Sequence, residues 1–353
     1  MQPLNDLTYR GQALRLKRLA LIALKHYPLK LKKLELIHHG ENTTFRLTAC
    51  QGNRESQHLV RVHRAGYQTP DSIRSELLWL EALARDTDIP APRPNRNVDG
   101  DPLTVATAPG IPEPRCVVVF DWIPGRFLER SLGPASFSRV GQLTARLHDH
   151  ASRWKPPAGF VRQVWDADGL LGPQPIMGSL FSHSRMKKAH RETIMAGTLQ
   201  IQEILRGMGK GRDVFGLIHA DLHHGNYLFS GRDVHPIDFD DSGFGYFLYD
   251  LAVTLLAVNR RQDYERLRQA LIQGYRSVRP IPDDHVRIVD LFIQTRRLVM
   301  SGWLMSRSDN PRFRARLHGL IPRTARDLSR FLERSTWTNS HDRVDGAVVQ
   351  AGD

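Results

Sequence analysis

Three oxygen-bearing side chains stand at a spacing that chemistry can use: Asp221, Asn226 and Asp238. They lie in two linked segments, Gly216-Leu217-Ile218-His219-Ala220-Asp221-Leu222-His223-His224-Gly225-Asn226-Tyr227-Leu228-Phe229 and Ile237-Asp238-Phe239-Asp240-Asp241. Apolar pairs flank a polar loop, and a strand-like run leads on to a cluster of carboxylates. Phosphoryl transfer asks little covalent help of a protein. It needs metal ions on the phosphate oxygens, a carboxylate near the attacking hydroxyl, and positioning. Magnesium prefers oxygen ligands and keeps several waters, so one or two carboxylates and an amide oxygen suffice. In that chemistry Asp221 accepts the hydroxyl proton, Asn226 offers its amide oxygen and Asp238 binds metal. The competing reading is a surface turn or an adventitious zinc site built on His219, His223 and His224, which lacks a fixed second set of ligands.

His-x-Asp-x-x-x-x-Asn followed by Ile-Asp-Phe-Asp resembles the catalytic and metal-binding loops of the aminoglycoside phosphotransferase and choline-kinase-like superfamily. Protein kinases carry the related His-Arg-Asp-x-x-x-x-Asn and Asp-Phe-Gly. The resemblance implies an α+β, protein-kinase-like two-lobed fold with a small β-rich N-lobe and a larger helical C-lobe. It implies ATP and Mg2+ as cofactors, Asp221 as catalytic base, Asn226 and Asp238 as magnesium ligands, and His219 as a brace for the loop. Asp250, in Tyr249-Asp250-Leu251-Ala252, matches a recurrent acidic position and is expected to tie the catalytic loop to a helix. Asp240 either assists the metal site or faces solvent.

A nucleotide-binding lobe needs a basic group on a strand to hold phosphates and a helical carboxylate to orient it. Arg61 sits in the strand-like run Leu59–Val62, and Glu76 lies beside the apolar face of the next helix. The resemblance places Arg61 where kinases usually carry lysine, paired with Glu76; arginine binds phosphate by a planar fork rather than as a point charge. Gly40-Glu41-Asn42-Thr43-Thr44 stands in place of a glycine-rich loop, with Asn42 and Thr43 expected over the phosphates. Val117–Trp122 resembles the hinge, which gives Phe120 and Trp122 as neighbours of the adenine.

Around these residues the elements are readable. Leu34–Ile37, Thr44–Ala49 and Leu59–Val62 read as strands, and Cys116–Phe120 as a buried one. Thr69-Pro70 opens a helix with apolar face Ile73, Leu77, Leu80 and Ala84. Further helices are expected over residues 7–26, 137–147 and 186–207, and short strands between 216 and 238. The stretch 152–182 is irregular, and irregular stretches of that length are more often functional than accidental. The expected organisation is a nucleotide lobe over 1–115, a hinge over 116–124, a catalytic and acceptor lobe over 125–335, and a frayed tail over 336–353.

Composition excludes several classes. With 353 residues, 41% hydrophobic and 25% charged, a sizeable core is available. The apolar run Leu19–Leu24 is too short to span a membrane, which makes the cytoplasm the default location. Cys50 and Cys116 supply neither a disulfide framework nor a zinc quartet. The net charge of +13 is spread over helix faces without interleaved aromatics, so nucleic acid is not expected as a partner.

The expected activity is an ATP- and Mg-dependent phosphotransferase acting on a hydroxyl-bearing small metabolite such as an amino alcohol or homoserine-like compound, or on a protein Ser/Thr. The runner-up is a nucleotide-binding pseudokinase or regulatory partner. Phe239–Phe247 and Arg61–Tyr67 are similar to homoserine kinase type II and bacterial stress-response Ser/Thr kinases, whose superfamily accepts choline, homoserine, aminoglycosides, sugars or protein side chains. Asp166, Asp168, Trp154 and Trp165 are candidates for an acceptor pocket or for loop packing. The basic set Arg296, Arg297, Arg307, Arg312, Arg314 and Arg316 suits an acceptor bearing a carboxylate, or a protein segment, better than a polycation.

Overall fold

The computed structural model describes residues 3–51, 54–128, 131–182, 186–308 and 313–334. The expected tail, Arg312, Gly52 and Asn53 lie outside the described residues. The chain divides into two compact units, Met1–Trp165 with Lys210–Val289, and Asp166–Gly209 with Asp290–Asp353.

The first unit opens with α1 (Tyr9–Ala23), started by Thr8, whose hydroxyl accepts from the amide of Gly11. An antiparallel meander follows: β1 (Lys30–His39), β2 (Thr43–Gln51) and β3 (Arg54–Val62). Each strand runs beyond its apolar stretch, because ladder hydrogen bonds continue where the side chains turn polar and exposed. Next comes α2 (Pro70–Asp86), entered as expected: Thr69 Oγ1 accepts from the amide of Ser72 at 3.1 Å with proline in the first turn. β4 (Thr104–Ala106) and β5 (Arg115–Asp121) complete a five-stranded sheet of order β1-β2-β3-β5-β4.

Strand alternation assigns the two faces of this sheet. Phe45, Leu47, Val60, Val62, Val117 and Val119 join Leu16, Leu19 and Ala23 of α1 in one core cluster. The opposite face therefore carries Arg46, Leu59, Arg61, Val118 and Phe120, with Arg61 across from Val118 and Phe120 across from Leu59.

α3 (Pro134–Arg153) and β6 (Val164–Trp165) follow, after which the chain enters the second unit through α4 (Ala167–Leu171) and α5 (Lys188–Gly207). It returns with β7 (Phe215–Ile218), the hairpin β8 (Tyr227–Ser230) and β9 (Asp233–Pro236), then β10 (Gly243–Tyr246). β10 pairs parallel with β6 and antiparallel with β7. α6 (Phe247–Leu256), α7 (Tyr264–Arg276) and α8 (Asp283–Arg287) close the unit. α3 and α7 cross where Gly141 and Gly274 meet; a Cβ on Gly274 would stand 2.0 Å from the carbonyl oxygen of Ser138, and one on Gly141 would stand 2.1 Å from that of Leu271.

The second unit is helical. α9 (Val289–Met305), α10 (Arg314–Leu317) and α11 (Leu320–Arg334) join α4 and α5. α11 lies on α5, where Leu328 fills the space that Gly197 leaves open. Among the described residues no helix is long and apolar enough to cross a membrane.

Candidate active site

The loop between β7 and β8 carries Asp221, and its shape is held from outside. Ala220 has φ of 65°, a left-handed conformation that costs a non-glycine residue about 1–2 kcal/mol. The fully buried Asp250 of α6 accepts the amides of Ala220 at 2.7 Å and His219 at 2.9 Å. Its Oδ2 also meets His148 Nε2 of α3 at 3.1 Å, and His148 Nδ1 meets the Tyr275 hydroxyl of α7 at 3.0 Å. Burial holds the His148 imidazole below its ordinary pKa, against the opposing pull of Asp250. His219 braces the loop on its other side, its Nε2 reaching the carbonyl of Ile237 at 3.0 Å. Asp250 and His219 thus stand where structural roles were expected of them.

Asn226 donates its amide nitrogen to Asp221 twice, to Oδ2 at 3.0 Å and to the carbonyl at 2.9 Å. That orientation commits the nitrogen and turns the amide oxygen into the atom on offer. The Asn226 carbonyl accepts from the amide of Ile237 at 2.9 Å, which brings Asp238 alongside. Asp238 is itself left-handed, with φ of 62°, and keeps 53% of its side-chain surface open. The carboxyl of Asp238 is held above the usual carboxylate range, by the protein packed around its inner side and by repulsion from Asp240, Glu76 and Asp221, with Arg61 opposing. An accessible carboxylate crowded by other carboxylates and flanked by an amide oxygen suits a hard, oxygen-seeking cation, which would relieve the repulsion. Among the described residues no three His, Cys, Asp or Glu side chains converge on a metal position, so His219, His223 and His224 form no zinc set there.

Arg61 on β3 pairs with Glu76 on α2, one guanidinium nitrogen reaching both carboxylate oxygens at 2.6 and 2.8 Å. Both side chains are buried. A pair buried this deeply costs desolvation that its attraction only partly repays, so its value lies more in placement than in stability. Arg61 also faces Asp238 Oδ1 at 3.5 Å and lies over the Phe120 ring at 4.9 Å. Phe120 is buried in β5, and the Trp122 amide donates to the carbonyl of Gln57 at 3.2 Å, while its ring carries Arg46 at 5.7 Å.

The turn at Gly40–Thr44 is more occupied than its sequence suggests. Asn42 donates to Asp240 Oδ2 at 2.8 Å and accepts the amide of Arg64 at 3.0 Å. Thr43 is buried and shares a 2.7 Å hydrogen bond with His39 Nδ1. Both side chains are engaged by partners within the protein.

Asp240 does not face solvent. It is 6% exposed, with His63 Nδ1 3.4 Å from its Oδ1. Burial alone would raise its carboxyl, but His63, Arg61 and Asn42 outweigh that and hold it well below the usual range. Asp241 accepts from the Tyr67 hydroxyl and is pushed up to about 8, by burial first and then by Asp221 and Asp240. Phe239 is fully buried between Trp79, at 5.5 Å, and His219, at 4.6 Å. Gln68 donates to the Asp240 carbonyl at 3.0 Å, and Trp165 Nε1 to that of Asp241 at 2.9 Å.

Sequence reasoning missed His63, Tyr67, Gln68 and Arg162, which hold the Asp238 loop. Of the proposed pocket residues, Asp166 caps α4, Asp168 meets Arg206 at 2.8 Å, Trp154 packs on His150 and Phe160, and Trp165 stacks on Tyr249.

Comparison with known proteins shows the family and the fold. The model of the phosphotransferase enzyme family matches residues 33–285. An uncharacterized protein of Deinococcus radiodurans is 32% identical over 289 residues, 80% of either chain. Amicoumacin kinase of Bacillus subtilis is 24% identical over 262 residues, 70% of this chain and 73% of that one. A microcompartment-associated aminopropanol kinase superposes with a TM-score of 0.79 at 30% identity, over 90% of this chain and 98% of that one. A second amicoumacin kinase, solved with AMP-PNP, Ca2+ and Ami, gives 0.75 at 18% identity over 90% and 96%, a likeness of fold.

Proposed function

The chain belongs to the phosphotransferase enzyme family and is an ATP-dependent kinase of a hydroxyl acceptor, and we propose that its cation is Mg2+ and its acceptor a small amino alcohol. The observation that carries the site assignment is the clasp on the catalytic loop. Asp250 fixes the left-handed Ala220, and Asn226 fixes the neighbouring Asp221 carboxylate, which orients it toward an incoming hydroxyl.

In this reading Asp221 accepts the proton as the hydroxyl oxygen attacks the terminal phosphorus and ADP departs. Asn226 Oδ1 and Asp238 would hold the cation, which supplies charge neutralisation on the phosphate oxygens. Arg61, oriented by Glu76, meets the phosphates. The backbone of Gly40–Thr44 covers them, and the hinge edge at Phe120–Trp122 receives the adenine. The amino alcohol class follows from the aminopropanol kinase likeness.

The test is ATP consumption with Mg2+ across aminopropanol, ethanolamine, choline, homoserine and an aminoglycoside, with wild type beside Asp221→Ala. Turnover with an amino alcohol that drops on the order of a hundredfold in the variant supports the reading. Turnover confined to the aminoglycoside refutes the acceptor class. Equal turnover in both proteins refutes Asp221 as base.

A further inference from the structure

Arg162 lies in the irregular stretch ahead of β6, where nothing in the periodicity marks it, yet it is 6% exposed. A guanidinium has five N–H donors in a planar fork, and here every one is placed. Nε donates to the carbonyl of Ser242 at 2.6 Å. One terminal nitrogen reaches the carbonyl and hydroxyl of Ser72 on α2, at 3.0 and 3.1 Å. The other reaches the carbonyls of Phe239 and Asp240, at 3.4 and 2.6 Å. None of these acceptors is a carboxylate; Glu76, Asp240 and Asp241 supply the balancing charge from further off.

The residues on either side act on the same two elements. The amide of Val161 donates to Ser75 Oγ on α2 at 2.9 Å, and Gln163 Nε2 to the Asp241 carbonyl at 3.1 Å. Residues 161–165 therefore form a strap fastened at one edge to the helix that carries Glu76 and at the other to the loop that carries Asp238. A point charge on a flexible stem could not hold both, because the acceptors lie in the plane of the fork on different sides.

We propose that Arg162 is a positioning residue that couples α2 to the Asp238 loop, so that one guanidinium sets the cation-facing carboxylate and the helix of the Arg61–Glu76 pair together. This rests on the reading of Asp238 as a cation ligand. It predicts that the fork, not the charge, matters: lysine fails as methionine does.

The experiment measures Mn2+ binding by electron paramagnetic resonance with AMP-PNP present, so that no turnover enters, in wild type, Arg162→Lys, Arg162→Met and Asp238→Asn. Circular dichroism and thermal unfolding report folding. Both Arg162 variants are expected to bind Mn2+ about tenfold more weakly, and in turnover to lose kcat more than they raise the KM for ATP. Normal Mn2+ affinity in Arg162→Lys overturns the proposal, because charge alone then suffices. A lowered melting temperature with unchanged Mn2+ affinity and an unchanged split between kcat and KM overturns it too, leaving a purely structural role. Should neither Arg162 variant fold, Ser72→Ala decides: Mn2+ binding at least twofold weaker supports the coupling, and an unchanged value refutes it. If Asp238→Asn binds Mn2+ as wild type does, it is the ligand assignment that fails, separately from the role of Arg162.

Discussion

Replacing Asp250 by asparagine keeps size and shape and changes only what the side chain offers. In the wild type its two oxygens take the amides of Ala220 and His219 and the imidazole of His148. An asparagine can keep its oxygen on Ala220. Its NH2 then faces the amide of His219, donor against donor, while His148 can switch tautomer and accept. One buried amide is stranded, at about 1–3 kcal/mol, and the bond to Ala220 loses its charge assistance, which brings the total to roughly 3 kcal/mol. For a unit of this size that corresponds to a melting temperature lower by roughly 6–12 °C. Catalysis should suffer beyond stability. The left-handed Ala220 relaxes once its clasp weakens, and Asp221 is the next residue. A misplacement of that order costs kcat on the order of tenfold to a hundredfold. Differential scanning calorimetry gives the first quantity and saturating ATP turnover the second, at a temperature where the variant is folded. A melting temperature within about 1 °C of wild type together with kcat within about twofold would refute the clasp.

Three further outcomes are expected. Gly274→Ala drives a methyl into the backbone of α3 at Ser138, so it should destabilise by about 1–3 kcal/mol or more, read as an earlier urea midpoint with an unchanged slope. Asn42→Ala frees the Gly40–Thr44 turn from Asp240 and should raise the KM for ATP severalfold while kcat falls less; the reverse pattern would assign Asn42 to the chemical step. The Asp241 carboxyl, pushed up to about 8 from an ordinary value of 3.8, keeps its proton in the folded state after the unfolded chain has lost it, so stability falls as pH rises from about 4 to 8. Asp241→Asn removes that contribution. In chelator-treated protein the loss of stability between pH 5 and pH 8 should be smaller in the variant, and an equal loss would place the effect elsewhere.

Much of the fold was legible because its signals are local. Thr69-Pro70 announces α2 by capping chemistry, and the alternation of Phe45, Leu47 and Ala49 announces the buried face of β2. The polar ends of β1 carry no such signal. Lys30, Lys32 and Lys33 are exposed on an edge strand, and only the ladder to β2 makes them strand. β10 escaped notice for another reason. Gly243 and Gly245 have no side chain to alternate, yet a Cβ on Gly243 would lie 2.3 Å from the carbonyl of Gln163. In the candidate site, Asp221, Asn226 and Asp238 could be proposed from sequence because their spacing is a property of the chain. His63, Tyr67 and Arg162 were not, because their meaning depends on which carbonyls and carboxylates folding brings to them. The same limit applied to Asn42: its type suited a phosphate, but sequence could not show that Asp240 and Arg64 already claim it.

The Asp238 loop is pinned on every side: by Arg162 through three carbonyls, by Gln68, Gln163 and Trp165 at its backbone, and by Asn42 and Tyr67 at its carboxylates. In protein kinases the packing of the phenylalanine at this place sets the active or inactive state. Here a rotation of this turn would pull Phe239 from between Trp79 and His219 and take from the buried Arg162 its acceptors at Phe239 and Asp240. The loop is thus held in one posture by contacts from Gln68, the 161–165 strap and the Gly40–Thr44 turn, which a rotation would have to break together.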